Sequence, residues 1–271
     1  MTSSCVPRPD YAIGLILFYP EQSLLKKIDQ MLELGFQVYV FDNSPFEGSC
    51  SRAIQNRQRI VYMTAGKNVG IGYSLSTICA TAYAHGYQRL LFLDQDTGIS
   101  QQTLEFIGAY SKSLPLDSDR QYALLGFSGD PAADHTVQEV RFAISSGSLF
   151  FLQVLEHVGW HNEKYFVDCV DYELCLRARR FGFSIGLVKN TPDFDHFTEQ
   201  PDREIKFLGK RLLVRRYSSP RIKDALSAYI KLMFGGLFKN PLSDTLALAK
   251  SMGLYIFGQI VSRFIQEKRQ K

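Results

Sequence analysis

Residues 90–97 read Leu90-Leu91-Phe92-Leu93-Asp94-Gln95-Asp96-Thr97, an apolar run that ends in two carboxylates one residue apart. Such an unbroken run is typical of a parallel strand buried on both faces, and ligands of α/β sheets bind where these strands end. Two carboxylates at a partly buried strand end repel each other, which favours a cation beside them. A divalent cation that also binds a phosphate fits the pattern. Alternatively, Asp94 and Asp96 cap a helix that follows Ser100.

The composition predicts that the chain buries one substantial core, or one core and a small appendage. Its 271 residues are 45% hydrophobic and include five cysteines, an odd number at irregular spacing. This pattern predicts neither a disulfide framework nor a zinc site, and it favours the reducing cytoplasm. The first ten residues lack an apolar core, so we expect neither a signal peptide nor a membrane anchor there.

Charge is distributed unevenly along the chain. Residues 203–271 carry 15 Lys and Arg against 4 Asp and Glu, a balance of +11, whereas residues 1–202 carry 16 against 23, or −7. The basic region mixes these charges with Leu, Ile, Phe and Tyr in helical patterns, which favours an anionic membrane surface over nucleic acid. Its uncharged segment 251–261 is too short to span a bilayer. Alternatively, this region packs on the rest of the chain or on another subunit of a homo-oligomer.

Strand and helix patterns alternate from the N-terminus. The predicted strands cover residues 11–18, 36–41, 60–63, 89–93, 122–127 and 139–144. The predicted helices cover residues 24–32 and 71–85, a segment that begins near Leu149, and a segment that runs to about Arg180. Strands that alternate with helices imply a parallel sheet with right-handed crossovers.

Polar segments follow the ends of the predicted strands. They are Tyr19-Pro20, Asp42-Asn43, Lys67-Asn68-Val69-Gly70 and Asp94-Gln95-Asp96. Because the carboxyl ends of parallel strands meet at one edge of a sheet, we expect these segments to lie together. This clustering favours a nucleotide site at that edge.

Six segments, in their order and spacing, resemble a known family. They are Tyr19-Pro20; Val40-Phe41-Asp42-Asn43-Ser44; Lys67-Asn68-Val69-Gly70-Ile71-Gly72; Leu91-Phe92-Leu93-Asp94-Gln95-Asp96-Thr97; Ser145-Ser146-Gly147-Ser148; and Val170-Asp171-Tyr172-Glu173-Leu174-Cys175-Leu176-Arg177-Ala178-Arg179. Over roughly residues 11–200 the chain resembles family 2 glycosyltransferases, and among them the bacterial rhamnosyltransferases of surface-polysaccharide synthesis. The resemblance implies a GT-A-type, Rossmann-like α/β domain with a mostly parallel sheet in residues 1–202. A basic helical C-terminal region would follow in residues 203–271.

The resemblance implies donor-binding roles at the strand ends. Asp42 would accept a hydrogen bond from the imide N–H of the nucleotide base, with an Asx turn as the alternative. Asn68 and Gly70 would shape the loop beside the nucleotide, or form a plain turn. Arg177 would face the diphosphate, or pair with Glu173 one helical turn away. The remaining donor-site positions are Tyr19, Pro20, Asn43 and Asp94.

The resemblance also implies a divalent metal, Mg²⁺ or Mn²⁺. Asp96 would ligate the ion directly, and Asp94 would hold the ribose or the water shell of the metal. The ion would neutralise charge on the departing nucleoside diphosphate. His196 matches a histidine that can add a ligand, and a structural histidine is the alternative.

Asp171 matches the aspartate that serves as general base in the family. In an inverting transfer one carboxylate takes the proton of the acceptor hydroxyl as that hydroxyl attacks the anomeric carbon. Asp168 is an alternative base, and both acids also fit the start of a helix. On the acceptor or phosphate side, backbone N–H groups of Ser146 and Gly147 would meet an oxygen. Trp160 would stack on a sugar or pack in the core.

The expected activity is inverting transfer of a sugar, rhamnose from dTDP-rhamnose, to a lipid-linked surface polysaccharide at the inner face of the cytoplasmic membrane. Another UDP- or dTDP-sugar donor is the first alternative. A non-catalytic nucleotide- or glycan-binding module would keep Asp42 and the fold without needing Asp171. A phosphatase of the haloacid dehalogenase type requires Asp-x-Asp-x-Thr, whereas Thr97 follows Asp96 directly. We expect no nucleic-acid partner.

Overall fold

The computed structural model describes residues 10–114, 121–194, 203–207, 210–214, 216–236 and 240–267. Contacts divide the chain into two compact units. The first comprises Met1–Phe166 and Val170–His196, and the second comprises Val167–Cys169 and Phe197–Lys271.

An eight-stranded sheet forms the centre of the described part of the first unit. Its strands are β1 (Ala12–Leu17), β2 (Val38–Asp42), β3 (Ile60–Thr64), β4 (Arg89–Asp94), β5 (Tyr122–Phe127), β6 (Gln138–Glu139), β7 (Ser148–Phe151) and β8 (Ser184–Val188). They lie in the order β3-β2-β1-β4-β7-β5-β8-β6. The first four in this order are parallel to one another, and β5 is parallel to β8. The antiparallel pairs are β4 with β7, β7 with β5, and β8 with β6.

Helices cover the sheet and connect its strands. They are α1 (Ser23–Glu33), α2 (Ser49–Gln55), α3 (Ile71–Ala84), α4 (Gln101–Ser113), α5 (Leu152–Val158) and α6 (Val170–Arg180). Every residue of β1 and β2 is buried, as are residues 90–93 of β4. Burial on both faces explains why these strands read as continuous apolar runs.

Two predicted elements of the first unit differ from the structure. Of the predicted strand 139–144 only Glu139 lies in a strand, the two-residue β6, and Ile144 is exposed. The segment predicted as a helix from Leu149 is β7, and the helix α5 begins only at Leu152. A short apolar run does not distinguish a central strand from a buried helix by periodicity, which is why this helix was placed too early.

Residues 203–271 were predicted to be helical, but the second unit also contains strands. It contains an antiparallel hairpin of β9 (Arg203–Phe207) and β10 (Lys210–Val214), followed by α7 (Ser219–Gly236) and α8 (Leu242–Glu267). In residues 204–207 of β9 charged and apolar residues alternate, a strand pattern that was not recognised from sequence. Within the described residues, none of the helices combines the length and the apolar character that crossing a membrane requires.

Candidate active site

The candidate site lies at the carboxyl edge of the parallel strands. Leu17 at the end of β1 pairs with Asp42 of β2, and Ile16 pairs with Asp94 of β4. These strands therefore end at one level, and the loops that follow them meet. Strands β2 and β3 lie on one side of β1, and β4 lies on its other side. The edge between β1 and β4 is thus a reversal point of the strand order, where α/β sheets bind ligands.

Gln95, between the two carboxylates, joins the loops after β1 and β4. Its side-chain oxygen accepts a hydrogen bond from the Phe18 N–H at 2.9 Å, and its amide nitrogen donates to the Phe18 carbonyl at 3.2 Å. The next residue, Tyr19, has a φ of 49° and donates its N–H to Ser44 Oγ at 2.7 Å. The rings of Phe18 and Tyr19 are 45% and 54% exposed and meet edge to face at 4.6 Å. This places an exposed aromatic pair beside the strand-end carboxylates.

Two adjacent serines link the β4 turn to the start of α6. Ser145 donates a hydrogen bond from Oγ to Asp171 Oδ1. Ser146 Oγ accepts from the Asp94 N–H at 3.1 Å and lies 2.7 Å from Thr97 Oγ1. Both serines are buried. They therefore hold two of the sequence motifs in one fixed arrangement.

The electrostatics of Asp94 reflect neighbouring carboxylates. Burial, followed by the charges of Asp96 and Asp171, raises the pKa of Asp94 to about 6. The hydrogen bond with Ser146 and the charge of Lys27 oppose this shift. Such a concentration of negative charge is what a cation neutralises.

The donor set fits a hard divalent cation. Within the described ranges, no three His, Cys, Asp or Glu side chains form a ready-made metal site. Mg²⁺ commonly binds one or two protein carboxylates and takes its other ligands from water and phosphate oxygens, which suits Asp94 and Asp96. His196 lies outside the described residues, so its metal role stays a prediction. The helix-cap alternative for the two aspartates is wrong, because Ser100 and Thr103 cap α4 with a reciprocal capping box.

A half-buried cation lies beside the same turn and was missed from sequence. Lys27 of α1 donates from Nζ to the Thr97 carbonyl at 2.6 Å and to the Asp94 carbonyl at 3.3 Å. Burial lowers its pKa to about 8, while the charges of Asp96 and Asp94 act in the opposite direction. Helical spacing is the signal that could have found it, because Lys27 stands three residues after Leu24 and four before Met31, beside the buried face of α1. Its neighbour Lys26 points away from that face and is exposed.

The two candidate bases have different surroundings. Asp168 forms a bidentate ion pair with Arg221, at 2.8 Å to Nε and 3.4 Å to Nη2. Arg221 also lies over the ring of Tyr217 at 5.2 Å. Asp171 lies in the first turn of α6, accepts from Ser145 and acts on the pKa of Asp94. Because both oxygens of Asp168 are used by one guanidinium, the geometry favours Asp171 as the base.

Asp42 is tied into the end of β2. It is buried, and its Oδ1 accepts from the Ser44 N–H at 2.8 Å, which forms the Asx turn considered from sequence. Its Oδ2 accepts from Ser51 Oγ at 2.6 Å and from the Tyr62 hydroxyl at 2.8 Å. Three donors thus bind this carboxylate, and its contact with a nucleotide base stays a prediction.

The loop before α3 is fixed by amide side chains and a glycine. Asn43 donates to Ser74 Oγ at 2.9 Å, and Asn68 accepts from the Gly70 N–H at 3.0 Å. Gly70 has a φ of 86°, and a Cβ there would lie 2.5 Å from the Phe166 carbonyl oxygen. Glycine is therefore required at this position by both conformation and space.

Arg177 and Trp160 take structural positions. Arg177 bonds through Nε and Nη2 to Glu173 at 2.9 Å each, and its other N–H groups donate to the carbonyls of residues 158–160. Because its donors are used within the protein, the interpretation of Arg177 as a diphosphate ligand is corrected to the helical pair. Trp160 packs 5.8 Å from Tyr83, near the C-terminus of α3 and about 18 Å along that helix from the candidate site. Trp160 is half-buried, so its contact with Tyr83 favours the packing alternative, and the sugar-stacking role stays a prediction.

The N–H of Gly147 is also used inside the fold. It donates to the Phe92 carbonyl at 2.8 Å. Gly147 has a φ of 73°, and a Cβ there would overlap the ring of Phe194. The expected contact of this N–H with an acceptor or phosphate oxygen is corrected accordingly, and Ser146 contributes through its hydroxyl to the β4 turn.

Comparisons with known proteins were made for the sequence and for the fold. No protein-family model matches the chain. The dTDP-rhamnosyl transferase RfbF of Shigella flexneri is 23% identical over 229 residues, which cover 76% of each chain.

Several crystal structures share the fold. TarS of S. aureus superposes with a TM-score of 0.59 and 13% identity over 91% of this chain, which spans only 43% of that structure. Residues 1–349 of TarS in complex with UDP-GlcNAc give a TM-score of 0.56 and 13% identity over 92% of this chain and 73% of that one. GalNAc-T7 with UDP, GalNAc and Mn²⁺ gives 0.52 and 9% identity, with coverages of 90% and 54%. The predicted GT-A fold is confirmed by these likenesses.

Proposed function

We propose that this chain, whose fold is that of the GT-A glycosyltransferases, catalyses inverting transfer of a sugar from a nucleoside diphosphate donor to an acceptor hydroxyl. The observation that carries the proposal is the grouping of Asp94, Asp96 and Asp171 at the β1–β4 edge. A donor bound there has its diphosphate beside the strand-end pair. The same position brings the anomeric carbon towards the start of α6.

Asp171 acts as the general base. It takes the proton of the acceptor hydroxyl while the oxygen attacks the anomeric carbon and the bond to the nucleoside diphosphate breaks. Ser145 orients this carboxylate through its hydrogen bond to Oδ1. Because Ser145 and Ser146 are adjacent, the base is held at a fixed spacing from the β4 turn.

Asp96 and Asp94 would hold an Mg²⁺ or Mn²⁺ ion. When bound, the ion supplies positive charge that stabilises the departing diphosphate. Lys27 and Gln95 fix the turn that carries the two aspartates. The structure of GalNAc-T7 with Mn²⁺ supports such a metal on this fold.

The donor is dTDP-rhamnose in this proposal. The rhamnosyltransferase-like motifs and the relative named as a dTDP-rhamnosyl transferase support this choice. The nucleotide base would lie against Phe18 and Tyr19, whose exposed rings suit stacking, with Asp42 at the end of the neighbouring strand. UDP-GlcNAc is the second candidate donor, because TarS residues 1–349 were crystallised with it on the same fold.

The acceptor is a lipid-linked surface polysaccharide at the inner face of the cytoplasmic membrane. The resemblance of the six sequence motifs to the rhamnosyltransferases of surface-polysaccharide synthesis supports this class of acceptor. The basic charge of residues 203–271 supports work at an anionic surface.

A donor screen tests the proposal. Purified protein with Mg²⁺ or Mn²⁺ and lipid-linked glycan is mixed with dTDP-rhamnose, dTDP-glucose or UDP-GlcNAc, and released nucleoside diphosphate is measured. We expect release from dTDP-rhamnose and little from the other donors. Release from UDP-GlcNAc alone would change the donor, and nucleotide binding without release from any donor would indicate a non-catalytic binding module.

A further inference from the structure

A groove of about 700 Å³ runs between α7 and α8 in the second unit. Its apolar walls come from Ile222, Leu226, Ile230, Ile256 and Ile260. Its polar margin includes Lys223, Lys231 and Arg263. The groove thus combines an aliphatic interior with a cationic rim.

Helix α7 has apolar residues on two sides. One side is buried and consists of Ala225, Ala228, Tyr229 and Leu232. The other repeats an apolar residue every four positions at Ile222, Leu226, Ile230 and Phe234. Ile230 and Phe234 are 47% and 68% exposed. A helix with two apolar sides normally buries both. The exposed side with Ile230 and Phe234 therefore indicates a binding surface.

Helix α8 extends this exposed apolar surface. Leu248 and Ser262 are buried, whereas Leu242, Leu246 and Ile260 are 73%, 61% and 48% exposed. At 100° per residue the three exposed residues fall on one side of the helix, away from the buried pair. Both helices of the unit therefore present aliphatic side chains outward.

The exposed charges beside this surface are lysines. Lys223 and Lys231 of α7 and Lys250 of α8 are exposed, and the first two border the groove. Arg263 instead donates to the carbonyls of Gln259 and Tyr217, which fixes it within the unit. Lysine side chains suit an interface because their aliphatic stems lie along apolar surface while their ammonium groups reach outward.

From this combination we infer that α7 and α8 dock on an anionic lipid surface. Ile230 and Phe234 enter the boundary between headgroups and acyl chains, and Lys223 and Lys231 bind phosphate headgroups. A second copy of the chain is disfavoured, because a symmetric contact would oppose the same lysines and the region already carries a balance of +11. This inference rests on the proposed function in one respect: the surface would hold the enzyme where a lipid-linked acceptor lies.

Vesicle sedimentation of the full chain tests this inference. We expect binding to phosphatidylglycerol–phosphatidylcholine vesicles, loss of binding at 1 M salt, and little binding to phosphatidylcholine alone. The variant Lys223→Gln/Lys231→Gln should bind about 30-fold more weakly, the factor expected for two lysine–headgroup contacts. Lys26→Gln/Lys112→Gln removes the same charge from exposed positions of the first unit and should bind like the wild type.

A variant of the apolar face separates the occupants. Ile230→Ser/Phe234→Ser should also lose vesicle binding while keeping the far-UV circular dichroism of the wild type. The inference would be overturned if the wild type did not bind anionic vesicles, or if the wild type and all variants bound them equally. A dimer that dissociates only in the Ile230→Ser/Phe234→Ser variant, without vesicle binding, would assign the face to a second copy.

Nucleoside diphosphate release, measured without vesicles, distinguishes this inference from the proposed function. Release without vesicle binding removes only the docking surface. Vesicle binding without release removes only the transferase proposal.

Discussion

Lys27 fixes the turn that carries Asp94 and Asp96 by binding backbone carbonyls of that turn. Lys27→Met removes its hydrogen bonds to the Asp94 and Thr97 carbonyls. We expect Mn²⁺ affinity, measured by calorimetry with nucleoside diphosphate present, to fall about 10- to 100-fold, as for other residues that orient metal ligands. Lys27→Arg should recover part of the loss. Unchanged affinity in folded Lys27→Met, or an equal loss in the exposed-site control Lys26→Met, would contradict this role.

The metal ligands themselves give a sharper effect. Asp96→Ala removes the residue proposed as direct ligand, so transfer should be lost and added Mg²⁺ or Mn²⁺ should not restore it. Treatment of the wild type with EDTA should also abolish transfer, and here the metal should restore it. Full turnover in either the chelated enzyme or the variant, followed as nucleoside diphosphate release, would remove the metal from the mechanism.

His161 makes stability depend on pH. Both ring nitrogens are buried and have no hydrogen-bond partner among the residues that the structure describes, and the ring meets Phe150 edge to face. Burial, with the charge of Arg177 adding to it, lowers the pKa of His161 from 6.5 to about 3. Below pH 6.5 His161 therefore binds a proton in the unfolded chain but stays neutral in the folded chain. Stability from this group is lost as pH falls, by about 2 kcal/mol at pH 5.

Urea unfolding at pH 7.5 and pH 5.0 measures this effect. The His161→Phe variant keeps an aromatic ring beside Phe150 but cannot take up the proton. The wild type should lose about 2 kcal/mol more unfolding free energy than the variant between the two pH values. Because Asp94 and every other titrating group are common to both proteins, equal losses would show that His161 does not act in this way.

At the residue scale, sequence and structure agree where a side chain stands at the end of a strand. Asp94 and Asp42 were predicted to lie at the sheet edge because their strands are apolar runs that stop at a carboxylate. Lys27 and Ser145 could not be found in this way, because their contacts join residues far apart in the chain. The role of Arg177 was ambiguous, because an arginine four residues after a glutamate fits both a helical ion pair and a ligand contact.

At the element scale, the loop before α3 depends on the backbone of Gly70. Gly70→Ala should lower the free energy of unfolding in urea by about 2 kcal/mol or more, because φ is 86° and the new Cβ meets the Phe166 carbonyl. Gly86→Ala is a matched control, since Gly86 has the same φ of 86° but open space around it. It should cost about 1 kcal/mol. Equal costs would mean that the close approach to Phe166 contributes nothing.

The elements that were predicted correctly have a clear periodicity. Helix α1 shows buried residues at helical spacing, and β1 and β4 show unbroken apolar runs. The segment 148–152 lacks such a signal, because β7 passes into α5 within one apolar run. The β9–β10 hairpin was missed because its high charge suggested the basic helices that follow it.

At the scale of the whole molecule, the GT-A fold was predicted from six motifs in order, each too weak alone. Composition contributed the contrast between the acidic first 202 residues and the basic remainder. Donor sugar and acceptor are not encoded in such patterns, because they depend on how a few side chains fit the sugar.

The decisive measurement is nucleoside diphosphate release by Asp171→Asn beside Asp168→Asn, both with donor, metal and lipid-linked acceptor. Asp171→Asn keeps the shape of the side chain but cannot take the acceptor proton, so kcat should fall by a factor of about 10² to 10⁴ while donor binding persists. Asp168→Asn weakens an ion pair with Arg221 and should leave kcat nearly unchanged. Wild-type turnover in folded Asp171→Asn, with a large loss in Asp168→Asn, would contradict the assignment of the base and the convergent carboxylate site built on it.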